Sequence, residues 1–97
     1  MATIVLVMTT PDPNGAEDLA TYQKLAGPVV ARHGGEIMYR GRRVDSLAGA
    51  GAFAMSLAIR FPDEAAARAW HADPDYQAAI AHRNKAFSAF EAHLINE

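Results

Sequence analysis

The first apolar run of the chain is short and rich in β-branched residues. It covers Thr3–Thr9 and is followed by the turn-forming letters TPDPNG, a combination that predicts a strand ending in a turn. One face of this strand would carry Ile4, Leu6 and Met8, and the other would carry Val5 and Val7. Because both faces are apolar, we expect a central strand that is covered on both sides.

The next segment has helical spacing. Apolar residues recur at steps of three and four between Ala16 and His33, which predicts an amphipathic helix. Pro28 lies inside this segment and cannot donate a hydrogen bond to the carbonyl of Lys24, so we expect a kink or two short helices. The letters HGG at 33–35 predict a glycine C-cap.

Two further apolar segments alternate with a period of two. In Gly35–Gly41, Ile37 and Tyr39 share one face, and in Ala54–Phe61 the alternation places Met55, Leu57, Ile59 and Phe61 opposite Ala54, Ser56, Ala58 and Arg60. The glycine-containing stretch 42–51 between them, RRVDSLAGAG, predicts a loop or an irregular hairpin arm. We expect the two strands to pair antiparallel.

The rest of the chain predicts two helices end to end and a last strand. The first of these helices begins with Pro62 near its first position and acidic residues in its first turn. Asp73-Pro74 stops it, because a residue before proline disfavours the helical region, and Asp73 is a good N-cap for a second helix. The stripe of that second helix holds Tyr76, Ile80, Arg83 and Phe87. Phe87–Ile95 alternates again and predicts the last strand.

The order β-α-β-β-α-β over residues 1–97 predicts one α+β domain of the ferredoxin-like class, in which a four-stranded antiparallel sheet carries its helices on one face. The other face would be exposed in a monomer and would hold Val5, Val7, Ala54, Ala58 and Ile95. An exposed apolar face of a small domain usually marks an interaction site. We therefore expect a homodimer that forms through this face of the sheet.

Composition narrows the class of partner. A net charge of −2 and a pI near 6.0 give no basic field for nucleic acid. No stretch approaches the roughly 20 apolar residues of a membrane span, and the N-terminus has the character of a strand and not of a signal peptide, so we expect a cytoplasmic protein without membrane contact. The sequence has no cysteine, and its four histidines lack the spacing of a metal site. We expect neither a metal nor a cofactor.

A few side chains carry candidate chemistry. Arg83 lies in an apolar stripe, where it either forms a salt bridge or snorkels to water, or lines a pocket. His33 lies in the last turn of its helix, where it is either a capping or core residue, or a proton carrier that faces a cavity. Four aromatic residues are candidates for the lining of a ligand site, although aromatics at helical and strand spacing more often belong to the core: Tyr22, Tyr39, Trp70 and Tyr76.

The letters HGG, FPDEAAARAW and DPDYQ, followed by Arg83, resemble a small bacterial family known as domain of unknown function 1330, of the dimeric α+β-barrel superfamily. The resemblance implies a ferredoxin-like protomer whose sheet packs on that of a second subunit, with a ligand cavity between helices and sheet. Relatives in the superfamily include cofactor-free and haem-using monooxygenases, chlorite dismutase-like proteins and muconolactone isomerase-like proteins. His33, Trp70, Tyr76 and Arg83 match positions that the family pattern marks, although none has an assigned role.

Two functions therefore stand side by side. In the first, the protein binds or transforms a small apolar or anionic metabolite by cofactor-free chemistry of a monooxygenase-like or isomerase-like kind. Arg83 would hold an anionic or enolate oxygen, and His33 or a tyrosine would move a proton. In the second, the protein is a non-catalytic dimeric binding or interaction module, in which Arg83 and His33 are structural. Fold alone does not decide between them.

Overall fold

A computed structural model of the chain describes residues 1–49, 51 and 53–97. Within this part of the chain the elements are, in order, β1 (Thr3–Pro11), α1 (Ala16–Arg32), β2 (Glu36–Arg42), β3 (Met55–Phe61), α2 (Glu64–Ala72), α3 (Pro74–Ala86) and β4 (Phe87–Asn96). The strands among these residues form one antiparallel sheet in the order β2-β3-β1-β4. The predicted ferredoxin-like fold is confirmed.

The prediction that Val5 and Val7 lie on the exposed face was wrong. Val5 pairs with Ile59 and Val7 with Leu57, and both valines belong to the buried core beneath the helices. The two sides of β1 are similarly apolar, so its own sequence does not say which side the helices cover. We call the other side of the sheet the open face; by register it carries Ile4, Leu6, Met8, Tyr39, Ser56, Ala58, Arg60, Glu91, His93 and Ile95.

A bulge in β2 changes where its side chains point. Ile37 pairs with Ile59, but Tyr39 pairs with Ala58, because the register shifts between Ile37 and Tyr39. An extra residue at this point reverses the alternation that follows it. Ile37 therefore lies on the helix side and Tyr39 on the open face, so the predicted shared face of these two residues was wrong.

Helix α1 runs without a break through Pro28, so the alternative of two short helices was wrong. Lys24, whose carbonyl Pro28 leaves without a helical partner, is exposed, so water can satisfy this carbonyl. The predicted glycine cap is confirmed. Gly34 has φ +76°, and the N–H of Gly35 donates to the carbonyl of Val30 over 2.9 Å, which is the pattern of a Schellman motif.

The predicted interruption at Asp73-Pro74 is confirmed, since α2 ends at Ala72 and α3 begins at Pro74. The side chain of Asp73 accepts a hydrogen bond from the backbone N–H of Asp75 at 2.9 Å, as expected of an N-cap. The start of α2 differs from the prediction. Asp63 is its N-cap and accepts from the N–H of Ala66 at 2.8 Å, which places Pro62 one residue before the cap.

The connection between β2 and β3 forms a loop in its described part, and the predicted loop 42–51 includes Ala50, which with Ala52 lies outside the described residues. Val44 and Leu47 in this loop are 99% and 98% exposed. No helix in the described part of the chain is long and apolar enough to cross a membrane.

Candidate ligand cavity

A cavity of about 330 Å³ lies between α1 and the helix-covered side of the sheet. Its volume is within the usual range for small-molecule sites, which starts at about 300 Å³. Most of its lining is apolar, and the polar side chains at its walls belong to Thr9, Tyr22, Gln23 and Arg40. Ser56 is also part of the lining, but its hydroxyl lies on the open face, where it contacts Tyr39. The cavity therefore suits a molecule that is mainly apolar.

Three polar side chains from two helices form a chain at one side of this cavity. The Oη atoms of Tyr22, in α1, and Tyr76, in α3, are 3.0 Å apart. Nη1 of Arg83 donates to Oη of Tyr76 over 3.3 Å. Tyr22 lines the cavity, whereas Tyr76 is only 1% exposed. The chain thus runs from a guanidinium through a buried hydroxyl to a hydroxyl at the cavity wall.

The direction of the hydrogen bonds follows from the burial of Tyr76. Its oxygen accepts from Arg83, so its own proton needs an acceptor, and a buried donor without one costs about 1–3 kcal/mol. The oxygen of Tyr22 is the acceptor at hand. We therefore assign the donor role to Tyr76 and the acceptor role to Tyr22, which leaves the proton of Tyr22 for a partner in the cavity. We order the chain as Arg83 to Tyr76 to Tyr22.

Burial raises the pKa of Tyr22 above its usual value of 10.0. The positive charge of Arg83 opposes this increase in pKa more weakly. Tyr22 is therefore protonated at neutral pH. It can donate a hydrogen bond to a ligand, but it cannot serve as a base.

Arg83 has an environment that fits neither a simple salt bridge nor a direct role in the cavity. None of the ion pairs found among residues 1–49, 51 and 53–97 includes Arg83. Its guanidinium carbon lies 4.6 Å from the centre of the Phe90 ring, a favourable cation–π distance, and its Nε is buried without a hydrogen-bond partner in the described structure. Arg83 acts on the cavity through Tyr76 and does not itself line it.

His33 lies away from this chain. Its Nε2 is 2.8 Å from Oδ2 of Asp73, and Arg32 donates to the same carboxylate oxygen at 3.2 Å. Asp73 precedes Arg83 by ten residues, or about 15 Å along a helix, and His33 is absent from the cavity lining. The structure therefore does not bring His33 and Arg83 together; His33 ties the end of α1 to the start of α3.

The remaining aromatic candidates divide between the two sides of the sheet. The ring of Trp70 lines the cavity and packs on Tyr76, with 4.6 Å between ring centres; its indole nitrogen is buried without a partner in the described residues. Tyr39 lies on the open face, where its hydroxyl is 2.8 Å from Oγ of Ser56. Three of the four predicted aromatics are thus brought together, and Tyr39 is not.

Sequence reasoning missed the role of two phenylalanines. The rings of Phe87 and Phe90 pack edge-on against Tyr22, with 5.9 and 6.5 Å between ring centres. Both also line the cavity. In the alternating pattern of the last strand, Phe90 shares a face with Ala92 and Leu94, opposite Ile95, and this signal could have assigned Phe90 to the helix side.

The fold and the cavity define a ferredoxin-like α+β protein with a mainly apolar pocket between helices and sheet. The family model described as "Domain of unknown function (DUF1330)" matches residues 4–96. The chain belongs to this family. Among curated proteins, none matches the sequence.

Solved structures share the fold at low sequence identity. A protein of unknown function from Rhodopseudomonas palustris has a TM-score of 0.82 at 24% identity, over 99% of this chain and 82% of its own. A dimeric ferredoxin-like protein of unknown function from Jannaschia sp. CCS1 has a TM-score of 0.75 at 15% identity, over the whole of both chains. A DABB family protein with a ferredoxin-like fold from Mesorhizobium loti has a TM-score of 0.71 at 16% identity, over 99% and 96%.

Proposed function

We propose that this protein is a homodimer that binds a small, mainly apolar molecule in the cavity beneath α1 of each subunit. The observation that supports binding is the cavity itself, about 330 Å³ of space with a mainly apolar wall. The cavity opens to solvent beside exposed lining residues such as Gln23 and Arg40, so a ligand can enter it. At about 30 Å³ per water, this space would hold roughly ten waters, which a bound apolar molecule would displace.

A cavity-filling substitution tests the proposal. Ala26 is buried, lies on α1 and lines the cavity, so Ala26→Phe should occupy the space and weaken the binding of indane, an apolar two-ring probe, at least ten-fold. Ala20→Phe on the exposed side of the same helix is the matched control. Trp70, the single tryptophan of the chain, lines the cavity, and its indole N–H resonance reports occupancy. Failure of indane to shift this resonance in the unmodified protein would count against binding.

The homodimer is supported by the open face and by the relatives. Ile95 on this face is 44% exposed and Tyr39 48%, and a hollow of about 530 Å³ lies there beside Met8, Tyr39 and Phe53. The ferredoxin-like proteins from Jannaschia, Thermobifida fusca and Bacteroides fragilis are described as dimeric. A second subunit packed on this face would remove its apolar side chains from water.

Leu6 lies near the middle of the open face, opposite Ala58 and His93. Leu6→Glu should place a charge in the interface and shift the protein to a monomer in native mass spectrometry at micromolar concentration. Leu25→Glu, at an exposed leucine on α1, is the matched control and should leave the dimer intact. A monomeric unmodified protein would refute this part of the proposal.

Cofactor-free transformation of the ligand, of a monooxygenase-like or isomerase-like kind, is a second candidate. The chain from Arg83 to Tyr22 favours it, because a protonated hydroxyl backed by a cation can stabilise an enolate oxygen. A base is also required for proton abstraction, and Tyr22 cannot supply it. Binding without catalysis is therefore the function that the cavity supports best.

A further inference from the structure

We propose that the cavity selects a ligand with one carbonyl or enolate oxygen on an otherwise apolar body, and that the hydroxyl of Tyr22 donates the hydrogen bond that recognises this oxygen. The inference rests on the proposed binding function of the cavity and adds the chemical class of the ligand. It is drawn from the order of the hydrogen bonds and from the distribution of polar groups around the cavity.

The hydroxyl of Tyr22 has a proton that no member of the hydrogen-bonded chain accepts. Tyr76 accepts from Arg83 over 3.3 Å. Because the buried proton of Tyr76 needs an acceptor, we assign the 3.0 Å bond between the two hydroxyls to donation from Tyr76 to Tyr22, which leaves the proton of Tyr22 without a partner among these three residues. Tyr22 lines the cavity. A ligand that meets this hydroxyl therefore meets a donor, and an acceptor oxygen is its complement.

Arg83 places a positive charge at the start of the hydrogen-bonded chain. The guanidinium of Arg83 has no ion-pair partner in the part of the chain that the structure describes. Hydrogen bonds in a row polarise one another, so the cation strengthens the donor character of the Tyr76 hydroxyl and, through it, that of Tyr22. An oxygen with partial or full negative charge gains most from such a donor.

The cavity wall beside Tyr22 is mainly apolar. Phe87 and Phe90 pack on the tyrosine ring, and Leu57 and Ile59 line the cavity from the sheet. Gln23 and Arg40 also contribute to the lining but are exposed residues, which places them where the cavity meets solvent. The hydroxyl of Thr9 and the indole N–H of Trp70, which has no partner in the described residues, are further polar groups in the lining. We assign the ligand oxygen to Tyr22 because Tyr22 is the lining donor that is linked through Tyr76 to the charge of Arg83, and the mainly apolar lining matches the rest of the ligand.

Indane and 1-indanone test the inference, because they share one shape and differ by a carbonyl oxygen. The unmodified protein should bind 1-indanone about two- to ten-fold more tightly than indane, the range expected for one net hydrogen bond. Tyr22→Phe should lose this preference and keep its affinity for indane. Tyr39→Phe, which removes a hydroxyl on the opposite side of the sheet, should keep the preference. Binding is followed by the indole N–H resonance of Trp70.

The outcomes separate the two proposals. If neither probe binds the unmodified protein, the binding function fails and the inference falls with it. If both bind equally, or if Tyr22→Phe keeps the preference, the inference is overturned while the binding function stands. A second readout does not depend on the variant folding: the carbonyl stretch of bound 1-indanone should lie at lower frequency than in an alkane solvent. An unshifted stretch overturns the inference as well.

Discussion

Replacing Tyr76 by phenylalanine tests the hydrogen-bonded chain in the folded protein. The change removes one oxygen and keeps the ring, whose centre lies 4.6 Å from that of Trp70, so the core loses little packing. At 1% exposure, the position admits no water to replace the hydroxyl. The measured effect therefore reports the two hydrogen bonds that the oxygen makes.

The expected loss in the free energy of unfolding follows from these two hydrogen bonds. Loss of the bond to Tyr22, at 3.0 Å, costs about 0.5–1.5 kcal/mol net. Loss of the acceptor for Arg83 strands a charged donor, which costs about 1–3 kcal/mol, and the 3.3 Å length of that bond favours the lower half of the range. We expect Tyr76→Phe to lower the free energy of unfolding by about 2–3 kcal/mol, or Tm by about 10–20 °C for a domain of this size.

Urea unfolding at one fixed protein concentration, followed by Trp70 fluorescence, measures this loss. Thr21→Val is the control, because its hydroxyl donates to the carbonyl of Glu17 over 3.1 Å at an exposed site on α1, away from the open face, and should contribute less than about 0.5 kcal/mol. A double-mutant cycle of Tyr22→Phe and Tyr76→Phe should give a coupling free energy of about 0.5–1.5 kcal/mol. A loss of stability as small as that of Thr21→Val, or a coupling of zero, would refute the hydrogen-bonded chain from Arg83 to Tyr22.

Two further predictions concern the stability of the fold. A Cβ at Gly15 would meet backbone atoms of Lys85 and Ala86, whereas one at Gly27 would meet nothing within 4 Å. Gly15→Ala should therefore destabilise by about 1–3 kcal/mol and Gly27→Ala stabilise by up to about 1 kcal/mol; equal urea midpoints would contradict this. Hydrogen bonds from His33 and a backbone N–H lower the pKa of Asp73 below its usual 3.8. A carboxylate of lowered pKa stabilises the folded state above its unfolded pKa, so this contribution is lost as the pH falls past 3.8 and through the lower folded value. The acid dependence of the urea midpoint should be weaker in Asp73→Asn, and an unchanged dependence would contradict the assignment.

Local chemistry made much of the fold predictable. The boundary between α2 and α3 at Asp73-Pro74 follows from the steric effect of proline on the residue before it. The end of α1 follows from Gly34, which adopts a positive φ of +76°. Period-two and helical patterns located the strands and helices, and their order restricted the fold to one class. All of these signals act within a few residues, so they can be read along the sequence.

The predicted faces of β1 and β2 were wrong because the alternation of apolar residues in each strand was compatible with two orientations of its side chains. Both faces of β1 are apolar, so the choice between burying Val5 and burying Leu6 depended on the pairing with β3. In β2, a single bulge between Ile37 and Tyr39 moved the tyrosine to the open face. A shift of one residue in register reverses every side chain that follows, and the alternation alone does not reveal where such a shift occurs.

The sequence by itself determined the elements, the class of fold and a set of separate candidate residues that included Tyr22, Tyr76 and Arg83. Only the tertiary structure decided which of them act together. Tyr22 and Tyr76 are 54 positions apart in the chain, and their hydroxyls meet because α1 packs on α3, while the same packing ties His33 to Asp73. Side-chain periodicity depends on the local backbone, whereas contacts between elements depend on how whole helices and strands pack.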